Sequence, residues 1–334
     1  MSRIQRSTAA AAAALAVAVL PASVAVAPHA GAAAPAAASR ISTAYVLPGD
    51  RVYPEGIAAD PRGEAMFAGS FADGTVYRMR PGHRTAEVFL PAGTDGRRTA
   101  NGLKVDSAGR LWVTDSTSGV AVYDTRSRAL LARFVVPGDG ARFVNDLAVA
   151  PGGAVYLTDS TRAVVYRVTP HDLEAARGGT GTLSTAFDLS GVLEPHEPSD
   201  YTLNGIVADP AGRFLLTDDM LGGDLYRLDL ATGAVREVAL SGGDMRNADG
   251  LELQHGRLWT AANVDNTLTR WRVAPDGTRA RLERTLADPA LQLPTTLVRR
   301  HGTLYVVRSQ FDKGGPLGDG TPEIPFTVAA VRGL

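Results

Sequence analysis

Six short segments recur along this 334-residue chain, and five of the six open on an acid or an amide. They begin YPEGIAAD, TANGLKVD, FVNDLAVA, TLNGIVAD, NADGLELQ and LPTTLVRR, with marker residues Glu55, Asn101, Asn145, Asn204, Asp249 and Thr295. The markers lie 46, 44, 59, 45 and 46 residues apart. A period in this range belongs to propellers and solenoids, and what lies between the markers chooses the propeller. GRLWVTD, AVYLTD, RFLLTDD and GRLWTAA are short β-branched and aromatic runs broken by Gly, Pro and Asp, without helical periodicity. Six such sets, each of about four strands, predict an all-β fold: a six-bladed β-propeller of antiparallel blades around a central tunnel.

Turn chemistry places the markers. Asp60-Pro61-Arg62-Gly63, Asp106-Ser107-Ala108-Gly109, Pro151-Gly152-Gly153 and Asp209-Pro210-Ala211-Gly212 read as the turns that join first to second strands. Each marker therefore starts the first strand of a blade, the strand nearest the axis. Residues distant in sequence then meet at one mouth of the tunnel. Asn-Gly and Asp-Gly are also common hairpin dipeptides, so Asn101-Gly102, Asn204-Gly205 and Asp249-Gly250 have an alternative reading as turns. Glu55-Gly56 counts against it, because a turn gains nothing from Glu.

The formal net charge is −1, which favours neither nucleic acid nor an anionic membrane as a partner. There is no cysteine, so disulfides, thiolate metal sites and cysteine nucleophiles are excluded. Two arginines in MSRIQR precede an Ala-rich apolar run, Ala9–Ala27, closing on the small-x-small triplet Ala25-Val26-Ala27. This has the form of a secretory signal peptide. Residues 1–39 are read as that signal with an Ala/Pro-rich lead, and residues 40–334 as the propeller. The expectation is a secreted, extracellular monomer with a small-molecule substrate and no stable membrane insertion after cleavage. The extended run Ile41–Leu47 is expected to pair into the last blade, whose final strand lies within PFTVAAVRG.

Glu55 and Asp249 supply two carboxylates, and Asn145 and Asn204 two neutral amide oxygens. Hard oxygen donors without His or Cys select Ca²⁺ or Mg²⁺ over zinc or copper. Four protein ligands leave room for water and substrate, so such a site can polarise a carbonyl or activate water.

At these residues the chain resembles the senescence marker protein (regucalcin)/gluconolactonase family, which is itself similar to phosphotriesterase-type diisopropyl fluorophosphatases. The resemblance spans all six repeats. It implies a divalent metal in the axial tunnel, Ca²⁺ before Mg²⁺ or Mn²⁺, held by Glu55 of PEGIA, Asn145 of FVNDLAV, Asn204 of LNGIVAD and Asp249 of ADGLEL. It further implies a metal-dependent hydrolase of lactones or related esters, with Asp249 expected as ligand and as base or nucleophile and Glu55 as its counter-carboxylate. Asn101 and Arg142 are the expected substrate contacts, although Arg142 stands three residues before Asn145 where family members often have the Arg two before. The alternatives are phosphotriester hydrolysis and a non-catalytic ligand-binding propeller with structural calcium. No Gly-x-Ser-x-Gly elbow or HExxH motif supports serine-hydrolase or zincin chemistry. The long interval from Thr169 to Thr202, with His171, His196, Glu197 and Asp200, is either a lid or an exposed blade connection. Asp115, Asp159 and Asp218 read as turn and hydrogen-bonding acids, and Thr295 as a closing position without a ligand.

Overall fold

The computed structural model describes residues 40–334 apart from Pro198; the expected signal and lead, residues 1–39, lie outside the described residues. The described residues form six small sheets, arranged as a six-bladed propeller. The first blade runs outward through Pro54–Ala59, Met66–Ser70, Val76–Met79 and Glu87–Leu90. The innermost strands of the next four blades are Leu103–Val105, Val144–Val149, Leu203–Ala208 and Ala248–Gln254. In the sixth blade Leu297–Arg300 is innermost and Thr303–Val307 follows. Its third strand is Phe326–Arg332, and Arg40–Leu47 pairs antiparallel along the outside of it. Both ends of the described chain thus share one sheet, which joins the ring and leaves no open edge between last and first blades.

The expected turns are present. Gly109, Gly153 and Gly212 close them by donating to Asp106, Ala150 and Asp209 carbonyls, each at positive φ (84°, 81° and 71°) where a side chain would be strained.

Hydrophobic packing runs between blades, in six seams, with no single core. The second strands are buried on both faces, which is why they read as unbroken apolar runs. Alternation along a strand sends successive side chains to opposite neighbours. Leu111 packs toward the first blade with Phe67 and Phe89, while Trp112 packs toward the third with Leu147 and Tyr166. Leu258 and Trp259 divide in the same way, between Trp271 with Phe214 on one side and Leu304 with Val306 on the other.

The long interval after Thr169 forms blade connections. Thr169 caps a short helix, Pro170–Ala175, whose Leu173 packs into the seam between second and third blades. Thr180–Thr182 then adds a parallel fifth strand to the second blade beside Leu130–Val135, and Ser184–Asp188 completes the third. A loop near the axis comes from elsewhere. Residues 308–325, between the second and third strands of the last blade, bring Phe311, Pro316 and Leu317 to the tunnel mouth. Tyr53 Oη donates to the Lys313 carbonyl at 2.9 Å, and Gln310 pairs with the backbone of Glu323 through both amide atoms, which pins this loop.

Candidate metal centre and active site

Each ligand-type marker sits at a β-bulge. Pairing between first and second strands slips between Pro54 and Ile57, Val144 and Leu147, Leu203 and Ile206, and Ala248 and Leu251. Glu55, Asn145, Asn204 and Asp249 each fall in the slipped interval. A bulge breaks the two-residue alternation locally and re-aims a side chain. Here it turns one polar residue per strand toward the axis.

The glycines after the markers have a different task from the hairpin role open to them in the sequence. Gly56, Gly102, Gly205 and Gly250 are absent from the positive-φ residues. What excludes a side chain is the neighbouring blade. A Cβ on Gly56 would lie 1.9 Å from the Asn101 carbonyl oxygen, and one on Gly205 2.3 Å from that of Asp249. At Gly250 it would lie 2.7 Å from Thr296 Cα. The first strands converge until only hydrogen fits between them. Hydrogen bonds span these approaches: Gly102 N donates to Asn145 O at 3.1 Å and Gly250 N to Thr295 O at 2.7 Å. Hydroxyls fix the markers' own carbonyls. Thr114 Oγ1 donates to Asn145 O and Thr158 Oγ1 to Asn204 O, both at 2.6 Å, and Thr295 Oγ1 to Glu55 O at 2.8 Å.

The marker side chains are buried together. Glu55, Asn145, Asn204 and Asp249 line one cavity of about 240 Å³ with Asn101. Asn145 Nδ2 donates to Ser160 Oγ at 3.0 Å and Asn204 Nδ2 contacts Met220 Sδ at 3.2 Å, so the amide nitrogens are engaged. Asn263 Nδ2 donates to Asp249 Oδ2 at 3.0 Å. The oxygens Glu55 Oε2, Asn145 Oδ1 and Asn204 Oδ1, and both amide atoms of Asn101, are buried without a hydrogen-bond partner. An unpaired buried acceptor costs about 1–3 kcal/mol, so several at one place point to a group that satisfies them together. The donor set is two carboxylates and two amide oxygens, which fits a hard divalent cation in charge and in kind. Among the described residues no three His, Cys, Asp or Glu are grouped to hold an ion by themselves; the asparagines are integral to this set.

Burial dominates the electrostatics. It pushes the Asp249 carboxyl up to about 8, with Asp146 raising it further and the Asn263 hydrogen bond opposing. Glu55 is held well above its ordinary range by burial and then by Asp249 and Asp146. Asp146 follows Asn145 where four of the other openings have Gly, and is itself raised by burial. Three residues along the first strands from Asn101 and Asp249, Lys104 and Glu252 line a separate cavity away from the marker side chains.

The remaining expected residues divide. Arg142 does not line the cavity; its Nε donates to Gly140 O at 3.2 Å, and its neighbour Phe143 reaches the mouth instead. His171, His196, Glu197 and Asp200 do not line it either, and among the described residues of that connection only Tyr201 does. Asp115 and Asp159 accept backbone hydrogen bonds from Arg98 and Phe143, as turn acids should. Asp218 is different. Strand register aligns Asp219, not Asp218, with Asp159, and Asp219 accepts from Leu221 and Gly222 N. Asp218 stands where Thr158 stands in the preceding blade, with both carboxyl oxygens buried and unpartnered, and burial followed by Asp249 raises it strongly.

A second ring of site residues escapes the marker pattern. Phe71, Ser160, Met220 and Asn263 each follow the residue that pairs just before a marker: Ser70, Asp159, Asp219 and Ala262. Phe71 lines the cavity, and the other three contact the marker of their own blade. Their recurrence about 15 residues after each marker is the signal that could have found them.

A buried ring of oxygen donors at the axis of a six-bladed propeller defines the class of protein. Residues 53–307 match the model of the SMP-30/Gluconolactonase/LRE-like region, and the chain belongs to that family. Among solved structures it is similar to a gluconolactonase from Xanthomonas campestris, with 19% identity and a TM-score of 0.60 over 88% of this chain and 89% of that one. The major Malassezia sympodialis allergen Mala s 1 gives 15% identity and a TM-score of 0.63 over 90% and 96%. A virginiamycin B lyase from Staphylococcus aureus gives 11% and 0.54 over 88% and 99%. These likenesses extend the fold and nothing finer. No curated protein matches the sequence.

Proposed function

We propose that this protein is a secreted, metal-dependent hydrolase of lactones or related esters. Family membership supports a lactonase-type activity. The observation that carries the reading is the cluster of orphaned buried oxygens beside two carboxylates at the floor of an open cavity. Glu55, Asn145, Asn204 and Asp249 would hold a divalent cation, Ca²⁺ before Mg²⁺ or Mn²⁺. Such an ion supplies polarisation of the substrate carbonyl and a lowered pKa for a bound water. Asn263 fixes Asp249 Oδ2, which leaves Oδ1 to take a proton from the attacking water and return it to the leaving alkoxide. Glu55 balances the charge. Buried Asn101, with both amide atoms free, would bind the substrate's carbonyl or ring oxygen.

The test is hydrolysis of a lactone and ester panel by chelated protein, before and after restoring Ca²⁺, Mg²⁺ or Mn²⁺. No turnover with any ion would sink the reading; turnover only of phosphotriesters would move it to that chemistry. Among the described residues lining the cavity there is no Lys, Arg or His, which disfavours anionic phosphate mono- and diesters but leaves neutral phosphotriesters to the panel. Export is proposed on the form of residues 1–39, and the N-terminal mass of protein from culture medium checks it.

The raised carboxyls make cation binding pH-dependent. Asp249 and Glu55 have folded-state pKa values above their unfolded ones, so the ion-free fold binds more protons than the unfolded chain. The stability this confers is complete below about pH 4 and is lost as pH rises toward 8. A cation displaces those protons. Calcium at 1 mM should raise the melting temperature by roughly 5 °C at pH 8 and hardly at all at pH 5. An equal shift at both pH values would show that it binds elsewhere.

A further inference from the structure

We infer that this site takes lactones or esters carrying an apolar alkyl or aryl group, in preference to polyhydroxylated sugar lactones. The inference rests on the hydrolase reading above and assigns its substrate class. Four aromatic side chains stand in a row across the cavity mouth. Ring centres are 4.8 Å apart for Tyr201 and Phe143, 6.4 Å for Phe143 and Phe71, and 5.2 Å for Phe71 and Phe311. Met220, Val264, Pro316 and Leu317 add apolar lining. Tyr201, Val264 and Leu317 are each about half exposed, at 47%, 53% and 54%. A contiguous apolar rim of this kind is costly in water and marks a place where an apolar group is received.

Apart from Asn101, the Tyr201 hydroxyl and Asn247 Oδ1, the polar side chains lining the cavity are committed. Asn145, Asn204 and Asn263 have their amide nitrogens engaged, and Asn247 Nδ2 donates to Asp265 Oδ2 at 3.0 Å. Glu55 and Asp249 belong to the cation. Only Asn101 keeps both amide atoms free. A sugar lactone carries a hydroxyl on nearly every ring carbon, and each one buried without a partner costs about tenfold or more in affinity. The aromatic rings do not offer a flat stacking platform for a sugar face. Phe143 meets Tyr201 at 75° and Phe71 meets Phe311 at 54°, with Phe71 and Phe143 nearer parallel at 31°, so the row as a whole is a corrugated trough suited to a chain or ring edge.

The experiment compares γ-butyrolactone, γ-hexalactone, γ-nonalactone and glucono-δ-lactone on calcium-loaded protein. It is paired with calorimetric binding of γ-lactams bearing the same alkyl groups, which report occupancy without turnover. The expected kcat/KM rises along the alkyl series by up to about fourfold per added methylene, with the sugar lactone below all three. Tyr201→Ser and Phe143→Ser should each flatten the series; Tyr201 is exposed enough that its replacement does not threaten folding. Preference for glucono-δ-lactone, or a flat series in both turnover and binding, would overturn the inference and leave the hydrolase reading standing. A rising series in lactam affinity without hydrolysis of any lactone would do the reverse.

Discussion

Asp249→Asn is expected to lower kcat/KM for any lactone substrate by about three orders of magnitude or more, with an unchanged circular dichroism spectrum. The substitution keeps the shape of the side chain but removes both an anionic cation ligand and the oxygen that holds the proton. Its effect on stability should have the opposite sign. Burial has already driven the Asp249 carboxyl up to about 8, so at pH 8 the ion-free protein bears the cost of a charge, or a proton, that the amide never carries. Chelated Asp249→Asn should therefore melt at or above chelated wild type at pH 8, while losing most of the calcium-dependent rise. Asp249→Ala should abolish activity equally. Full turnover by either variant would remove Asp249 from the chemistry. Lost activity with the calcium response intact would keep it as a base but not as a ligand.

Gly56→Ala is expected to cost about 3 kcal/mol or more, lowering the melting temperature by roughly 6 °C or more. The added methyl would fall 1.9 Å from the Asn101 carbonyl oxygen and 2.7 Å from Leu103 Cδ1. Neither can retreat freely, since Asn101 N is itself bonded to Thr114 O and Leu103 is wedged in the seam between the first two blades. Displacing Glu55 as a consequence should weaken cation binding as well. Gly63→Ala, in an open turn with nothing within 4 Å, is the control and should melt within about a degree of wild type. Similar melting of the two variants would show that the first strands do not approach as closely as described.

The repeat made the architecture legible, because a blade is a local unit whose strands and turns are written in consecutive residues. It also located Glu55, Asn145, Asn204 and Asp249 at one end of the axis, since equal positions in equal units must meet there. Three things were not legible, each because it depends on contact between units. Gly205 and Gly250 look like turn glycines until the neighbouring strand is seen pressing on them. Asn263 and Phe71 carry no signature alone, and become site residues only through the bulge that rotates a marker toward them. Phe143 and Arg142 are adjacent and equally able to face the mouth. Ring contacts with Tyr201 and Phe71, rather than any spacing, decide for Phe143. Length alone did not choose between lid and connection: the Thr169–Thr202 interval forms blade connections and sends Tyr201 to the mouth, where the Gly-rich 308–325 segment joins it.

The pairing of Arg40–Leu47 with Phe326–Arg332 makes the order of synthesis matter. Glu55 belongs to the first blade made, yet its carbonyl is held by Thr295 and that of the preceding Pro54 by Ser309, both from the last. A nascent chain halted before Thr295 would possess every proposed cation ligand and still lack the hydroxyls that hold the earliest of them. Competence for binding should therefore appear abruptly, as the last few dozen residues become available, rather than accumulate blade by blade. Calcium would act on the finished ring as a lock, not on the growing chain as a nucleus.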